Sequence, residues 1–172
     1  MAAARSPKSI AVDTNVLIDL VARDAEVESA LAAIRKRLPD ISVVINPTVV
    51  QELGWLVENR DDEETRNLAA TAARDLRARW SIIPINCNPA WHGVIELAAQ
   101  ELRKSGLIPI DEINDSLIIA ESSLAECALL MSSDRHMWRS DINAVNQILV
   151  GRHMNAIVTT APWKIAKDYA QA

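Results

Sequence analysis

The chain has 172 residues and a formal net charge of −5 at pH 7, and 49% of its residues are hydrophobic. This composition excludes an intrinsically disordered chain, because there are enough apolar side chains to build a buried core. No apolar run approaches the roughly 20 residues that cross a bilayer, so we expect no membrane segment.

Short apolar runs alternate with amphipathic stretches along the whole chain. We predict five strands, which cover residues 9–12, 41–45, 81–85, 127–131 and 156–160. We predict seven helices, which cover residues 16–22, 25–38, 47–59, 61–80, 88–106, 111–126 and 141–150. This alternation predicts an α/β fold, a three-layer sandwich with a largely parallel central sheet flanked by helices.

The length predicts a single domain over residues 1–172. We expect residues 1–8, which are short of apolar side chains, to be disordered. Since they also lack the apolar stretch of a signal peptide, we expect a cytoplasmic protein.

Four carboxylates are expected at one edge of the predicted sheet. Asp13 directly follows the first strand, and Asp134 follows strand 127–131 by three residues. Glu52 and Asp115 lie near the starts of two helices. In open α/β sheets the carboxyl ends of the strands and the N-termini of the crossover helices share one edge, and ligands bind there.

Four converging carboxylates need a cation if they are to stay ionised together. Mg²⁺, with Mn²⁺ as a substitute, is the natural partner because hard cations take oxygen ligands and share substrate phosphate. We therefore predict a metal site for phosphodiester hydrolysis, formed by Asp13, Glu52, Asp115 and Asp134. Each acid alone could instead be a helix cap, a dipole partner or a turn residue, so the prediction depends on the joint pattern.

The sequence around these acids resembles the PIN domain family, and more narrowly the VapC-type toxins of toxin–antitoxin pairs. Four stretches carry the resemblance in order along the chain: AVDTNVLID at 11–19, QEL at 51–53, NDSLIIA at 114–120 and SSDRHM at 132–137. The resemblance implies a PIN-like fold and a metal-dependent endoribonuclease that hydrolyses single-stranded or loop RNA. It implies that the four acids are catalytic, that a cognate antitoxin protein binds the chain, and that the chain forms a homodimer.

Several other residues are candidates for supporting roles. Asn15 and Ser132 match family positions that support the acids. Arg135, His136 and Arg139 follow Asp134 and are candidates for binding RNA phosphates, although a solvated loop explains them equally well.

The five tryptophans divide into two groups. Trp138 is a candidate for stacking on an unpaired base. The other four are expected in the core: Trp55, Trp80, Trp91 and Trp163.

Two other functions remain open. A haloacid-dehalogenase-like phosphatase also places an aspartate after the first strand, but it needs a second aspartate where this chain has Asn15. A catalytically silent interaction domain with a PIN fold is the other alternative, and the presence of all four acids argues against it.

Overall fold

A computed structural model describes residues 9–170, so the expected disorder of residues 1–8 lies outside the described residues. The five strands of the described chain form one sheet: β1 (Ser9–Val12), β2 (Ser42–Ile45), β3 (Ile82–Pro84), β4 (Cys127–Met131) and β5 (Val158–Thr160). All neighbouring strands are parallel, and their order is β3-β2-β1-β4-β5. The order changes direction at β1, so the switch point of the sheet lies beside the end of this strand.

Nine α-helices occur within residues 9–170. They are α1 (Thr14–Val21), α2 (Ala25–Arg37), α3 (Pro47–Asn59), α4 (Glu63–Trp80), α5 (His92–Lys104), α6 (Ile113–Leu124), α7 (Arg135–Arg139), α8 (Ile142–Gly151) and α9 (Pro162–Ala170). A single 3₁₀ turn over Pro89–Trp91 precedes α5. None of these helices is long and apolar enough to cross a membrane.

The core lies between the sheet and the helices. Every residue of β1 is buried, as expected for a central parallel strand with both faces covered. The helices pack chiefly in pairs, α2 with α9, α3 with α4, and α5 with α6. The predicted α/β sandwich with a parallel central sheet is therefore confirmed.

Two helices escape the sequence analysis. α7 has only five residues, too few to show helical periodicity, and Asp134 caps its N-terminus. α9 begins at Pro162, two residues after the predicted strand 156–160, where no helix is predicted from the sequence. Proline also suits the first turn of a helix, where its missing N–H is not needed.

The prediction that four tryptophans lie in the core is wrong for three of them. Trp80 is buried, with 7% of its surface exposed. Trp55, Trp91 and Trp163 are 53%, 40% and 38% exposed. Such exposed aromatic surface is available for contact with other molecules.

Candidate metal centre

Asp13 lies at the C-terminal end of β1 and caps the N-terminus of α1. Its Oδ1 accepts a hydrogen bond from the backbone N–H of Asn15 at 2.7 Å, and its Oδ2 accepts one from the Ser132 hydroxyl. Burial raises the pKa of Asp13 to about 7, since only 3% of the residue is exposed and the charges of Glu52 and Asp134 add to the effect. The two hydrogen bonds lower this pKa but do not offset the burial.

Asp115 lies in the first turn of α6, whose N-terminus favours a negative charge. Its Oδ2 is buried and has no hydrogen-bond partner among the described residues. The pKa of Asp115 is raised to about 8, chiefly by burial and then, in decreasing order, by the charges of Asp13, Asp134, Glu112 and Glu52. A buried carboxylate oxygen without a donor is a free ligand position.

Glu52 extends from α3 toward the same edge of the sheet. Its Oε2 accepts a hydrogen bond from the Thr14 hydroxyl at 2.5 Å, and its Oε1 accepts one from the Asn114 amide at 3.4 Å. The side chain is therefore held between residues adjacent to Asp13 and to Asp115.

Asp134 follows β4, the strand that pairs with β1. Its backbone N–H donates to the Ser132 hydroxyl oxygen at 2.9 Å, so Ser132 joins Asp13 to the backbone of Asp134. Its Oδ1 accepts from the backbone N–H of His136 at 3.3 Å and lies 3.4 Å from Nε2 of that side chain.

Glu52 and Asp134 each lie close enough to Asp13 and to Asp115 to raise the pKa of both, and Asp13 also raises the pKa of Asp115. No three His, Cys, Asp or Glu side chains among the described residues are gathered closely enough to form a complete metal cage. Mg²⁺ does not require such a cage, because it is commonly held by one or two carboxylates together with waters and substrate phosphates. The oxygen-only donor set and the unpartnered Asp115 Oδ2 fit a divalent cation of this kind.

The predicted supporting residues act in different ways. The Ser132 side chain is fully buried and contacts Asp13 directly. Asn15 is exposed, and its contact with Asp13 is through the backbone N–H.

Three polar residues that surround the acids were not predicted as part of the site. Thr14 and Asn114 orient Glu52, and Glu112 adds negative charge near Asp115 and lies 4.0 Å from His136 Nε2. Each is a chain neighbour of a predicted acid or lies three positions from one, and that adjacency is the signal that could have found them.

Arg135, His136 and Arg139 lie on α7 and line an open groove of about 610 Å³. The opposite side of the groove is the loop that contains Gly106 and Pro109. All three predicted RNA-binding side chains are exposed, and they begin directly after Asp134. The groove therefore adjoins Asp134, whose Oδ1 lies 3.4 Å from Nε2 of the groove residue His136.

Comparison with known proteins supports the same interpretation of the fold. The family model described as "PIN domain" matches residues 10–142, which is more than half of the chain. A solved structure of VapBC2 from Rickettsia felis, bound to a DNA fragment from its promoter, has a similar fold with a TM-score of 0.60. The two chains are 17% identical, and the similarity covers 89% of this chain and 98% of that one. No curated protein matches the sequence significantly.

Proposed function

The chain belongs to the PIN domain family, and on that basis we propose that it is a divalent-metal-dependent endoribonuclease acting on single-stranded or loop RNA. The observation that carries the proposal is the pair Asp13 and Asp115. Burial and the neighbouring acids raise both pKa values well above the ordinary range, and one Asp115 oxygen has no hydrogen-bond partner within residues 9–170. An arrangement that disfavours its own charge is expected where a cation completes the site.

The proposed Mg²⁺ or Mn²⁺ would lie among Asp13, Glu52, Asp115 and Asp134, held by one or two of these carboxylates together with waters and substrate phosphates. When bound, it would activate water and neutralise charge on the scissile phosphate. Hydrogen bonds from protein donors hold Asp13 and Glu52 in place before substrate arrives. Such fixed orientation of metal ligands is worth 10- to 100-fold in metal affinity or activity in related sites.

Substrate binding is assigned to the groove beside the acids. Arg135 and Arg139 supply the positive charge that attracts RNA phosphates. His136 lies between the groove and Asp134, so it contacts both the substrate path and the acidic centre.

The site favours this function over the alternatives. A phosphatase of the haloacid-dehalogenase type needs a free nucleophilic aspartate and a second one two residues later. Here both Asp13 oxygens accept hydrogen bonds, and the second position is Asn15, which is exposed. A silent interaction domain would have no need to keep four acids close together against their repulsion.

Cleavage assays distinguish the three functions. The wild type, Asp115→Asn and the control Glu121→Gln should be incubated with labelled single-stranded RNA in Mg²⁺, Mn²⁺ or chelator. Glu121 is also a buried acid of α6, and its pKa is also raised by burial, but Thr48 rather than the acidic centre contacts it. We expect the wild type and Glu121→Gln to cleave RNA with either metal, and Asp115→Asn to be at least about 100-fold slower.

Two outcomes would contradict the proposal. Hydrolysis of p-nitrophenyl phosphate without RNA cleavage would indicate a phosphatase. Absence of any cleavage by a preparation that binds metal would indicate the silent domain.

We further propose that residues 1–172 form one PIN domain, which acts in the cytoplasm as a homodimer. In this proposal the protein is the toxin of a toxin–antitoxin pair, and its partner is a cognate antitoxin protein. The similarity of the fold to VapBC2 supports this proposal, as do the sequence stretches around Asp13 and Asp115. The four acids also offer a binding site for a basic side chain of an antitoxin, through charge-assisted hydrogen bonds.

A further inference from the structure

A basic aromatic surface lies where α7 and α9 meet. We call Trp138, Arg139, Trp163 and Lys164 the tryptophan platform. The two indole rings meet edge to face, with their centroids 6.0 Å apart and their planes at 84°. Lys164 Nζ lies 5.6 Å from the centroid of Trp138 and 5.8 Å from that of Trp163, and Arg139 Cζ lies 5.3 Å from Trp138.

The strand register places the platform next to the acidic centre. Met131 of β4 pairs with Thr160 of β5, and the two strands are parallel. Asp134 and Trp163 each follow their own member of this pair by three residues, so both lie beyond the same edge of the sheet. Trp138 lies one turn of α7, or about 6 Å of helix rise, beyond Asp134.

The cations of the platform contact the indole rings, but no described carboxylate neutralises their charge. Neither Arg139 nor Lys164 forms an ion pair with any described carboxylate, and both side chains are exposed. Trp163 keeps 38% of its surface exposed. The Trp138 indole N–H is buried without an acceptor in the described chain, so the polar end of this ring is not satisfied either.

We propose that the tryptophan platform binds the single-stranded RNA segment that flanks the cleaved bond, with a base stacked on Trp163 and phosphates held by Arg139 and Lys164. This inference rests on the proposed ribonuclease function. Aromatic rings with free cations beside them are the combination that binds unpaired nucleic acid, because every base has a face that stacks. An acidic peptide would use the cations but would have little use for an exposed indole face.

A binding experiment tests the platform apart from catalysis. All variants are made in full-length Asp115→Asn protein, so that the RNA stays intact, and are titrated into a fluorescein-labelled single-stranded oligoadenylate in chelator at several salt concentrations. The platform variants are Trp163→Ala, Trp163→Phe and Lys164→Gln. The matched controls are Trp91→Ala, an equally exposed tryptophan on the β3 side of the sheet, and Lys36→Gln, an exposed lysine at the end of α2 that precedes β2.

We expect Trp163→Ala to weaken binding by about 5- to 100-fold and Trp163→Phe to restore most of it, because phenylalanine still stacks. Lys164→Gln should reduce the slope of log affinity against log salt by about 0.7. Neither control should change affinity or slope. A melting curve that matches the parent protein excludes unfolding as the cause.

Affinity and slope equal to those of the Asp115→Asn parent in all five variants would overturn the proposal. So would tight binding of an oligoglutamate peptide without binding of the oligoadenylate, which would indicate a protein partner. The two proposals can fail separately. RNA binding through the platform in a protein that never cleaves RNA would contradict only the nuclease function, whereas metal-dependent cleavage unaffected by Trp163→Ala and Lys164→Gln would contradict only the platform.

Discussion

At the scale of single residues, burial and mutual repulsion disfavour the ionised forms of Asp13 and Asp115, two of the four acids that form the acidic centre. Asp13 and Asp115 have pKa values of about 7 and about 8, against 3.8 for a free aspartate, chiefly because they are buried. Between about pH 4 and pH 7, both carboxyl groups therefore stay protonated in the folded protein but are ionised in the unfolded chain. The free energy of unfolding of the metal-free protein should then be largest below pH 4 for these groups and fall as the pH rises from about 4 to about 8.

Asp115→Asn tests this linkage, because it removes the charge and keeps the shape. Each unit of raised pKa corresponds to about 1.4 kcal/mol, so the rise in the pKa of Asp115 from 3.8 to about 8 sets an upper bound of about 6 kcal/mol. Because Asp115 is partly exposed and solvent screens its charge, we expect the metal-free variant to gain about 1–3 kcal/mol of stability at pH 8. Urea unfolding at pH 5 and pH 8 measures the gain, which should be small at pH 5. Asp75→Asn is the control: a hydrogen bond from Arg74 lowers the pKa of Asp75, so this change should give no gain at pH 8. If the free energy of unfolding depends on pH equally in the wild type and in Asp115→Asn, the pKa of Asp115 is not raised in the folded protein.

Ser132 connects two of the acids, and the hydroxyl is the group that matters. Ser132→Ala should lower RNA cleavage by about 10- to 100-fold, because Asp13 loses the donor that orients it. Ser132→Thr keeps the hydroxyl and should retain most of the activity. Initial cleavage rates at saturating Mg²⁺ compare the two variants. Identical rates for Ser132→Ala and Ser132→Thr would show that the Ser132 hydroxyl has no role in the site.

At the scale of secondary-structure elements, a buried polar cluster fixes α3 against α6. Asn46 Nδ2, at the end of β2, donates to the Ile118 carbonyl at 3.1 Å and to the Ser122 hydroxyl at 2.6 Å. Glu121 accepts from the backbone N–H of Thr48 at 3.2 Å and from its hydroxyl at 2.8 Å. Because α3 carries Glu52 and α6 carries Asp115, these contacts set the relative position of two proposed ligands. Glu121→Gln remains a suitable control, because its amide can accept from the Thr48 N–H and donate to the Thr48 hydroxyl oxygen, and so keep both contacts.

Asn46→Ala should therefore destabilise the protein by about 1–3 kcal/mol, since it removes two buried hydrogen bonds. Asn59→Ala is a matched control, because the Asn59 side chain also donates to a backbone carbonyl, that of Trp55 within its own helix, but is exposed. The control should change stability by less than about 0.5 kcal/mol. Denaturant midpoints for both variants provide the measurement, and an equal loss in the two would contradict the proposed role of the buried cluster.

Sequence reasoning predicts the elements that have strong periodicity and misses those that do not. The central strands and the edge that carries Asp13 follow from apolar runs and from the parallel connection rule. The hydrogen bond between Ser132 and Asp13 joins residues 119 positions apart, and no local pattern encodes such a contact. The tryptophan platform is not predicted from the sequence for a related reason. Which face of α9 is exposed depends on its packing against α2, and local sequence does not show that Trp163 lies on the exposed face.

At the scale of the whole molecule, charge is divided between an acidic body and a basic C-terminal part. Residues 1–134 hold 13 basic and 21 acidic side chains, whereas residues 135–172 hold five basic and two acidic ones. The acids and the groove on α7 meet at one edge of the sheet, so a polyanion held by the basic part would pass the acidic centre. This division of charge suits an enzyme that binds RNA locally rather than over its whole surface.

The toxin proposal leads to a prediction in living cells. Induced expression of the wild type should arrest growth, and expression of Asp13→Asn at the same level should not, because the variant lacks one proposed ligand. Co-expression of the cognate antitoxin should restore growth. Colony counts with RNA sequencing provide the measurement, and normal growth with abundant, folded, RNA-cleaving wild-type protein would contradict the toxin role but not the nuclease.

The central claim is that Asp13, Glu52, Asp115 and Asp134 form one divalent-cation centre. Electron paramagnetic resonance of free Mn²⁺ during titration tests it directly, without substrate or turnover. The account predicts that the wild type and Glu121→Gln bind Mn²⁺ with the same affinity, and that Asp13→Asn and Asp115→Asn each bind at least about tenfold more weakly. Equal Mn²⁺ affinity in all four folded proteins would contradict it.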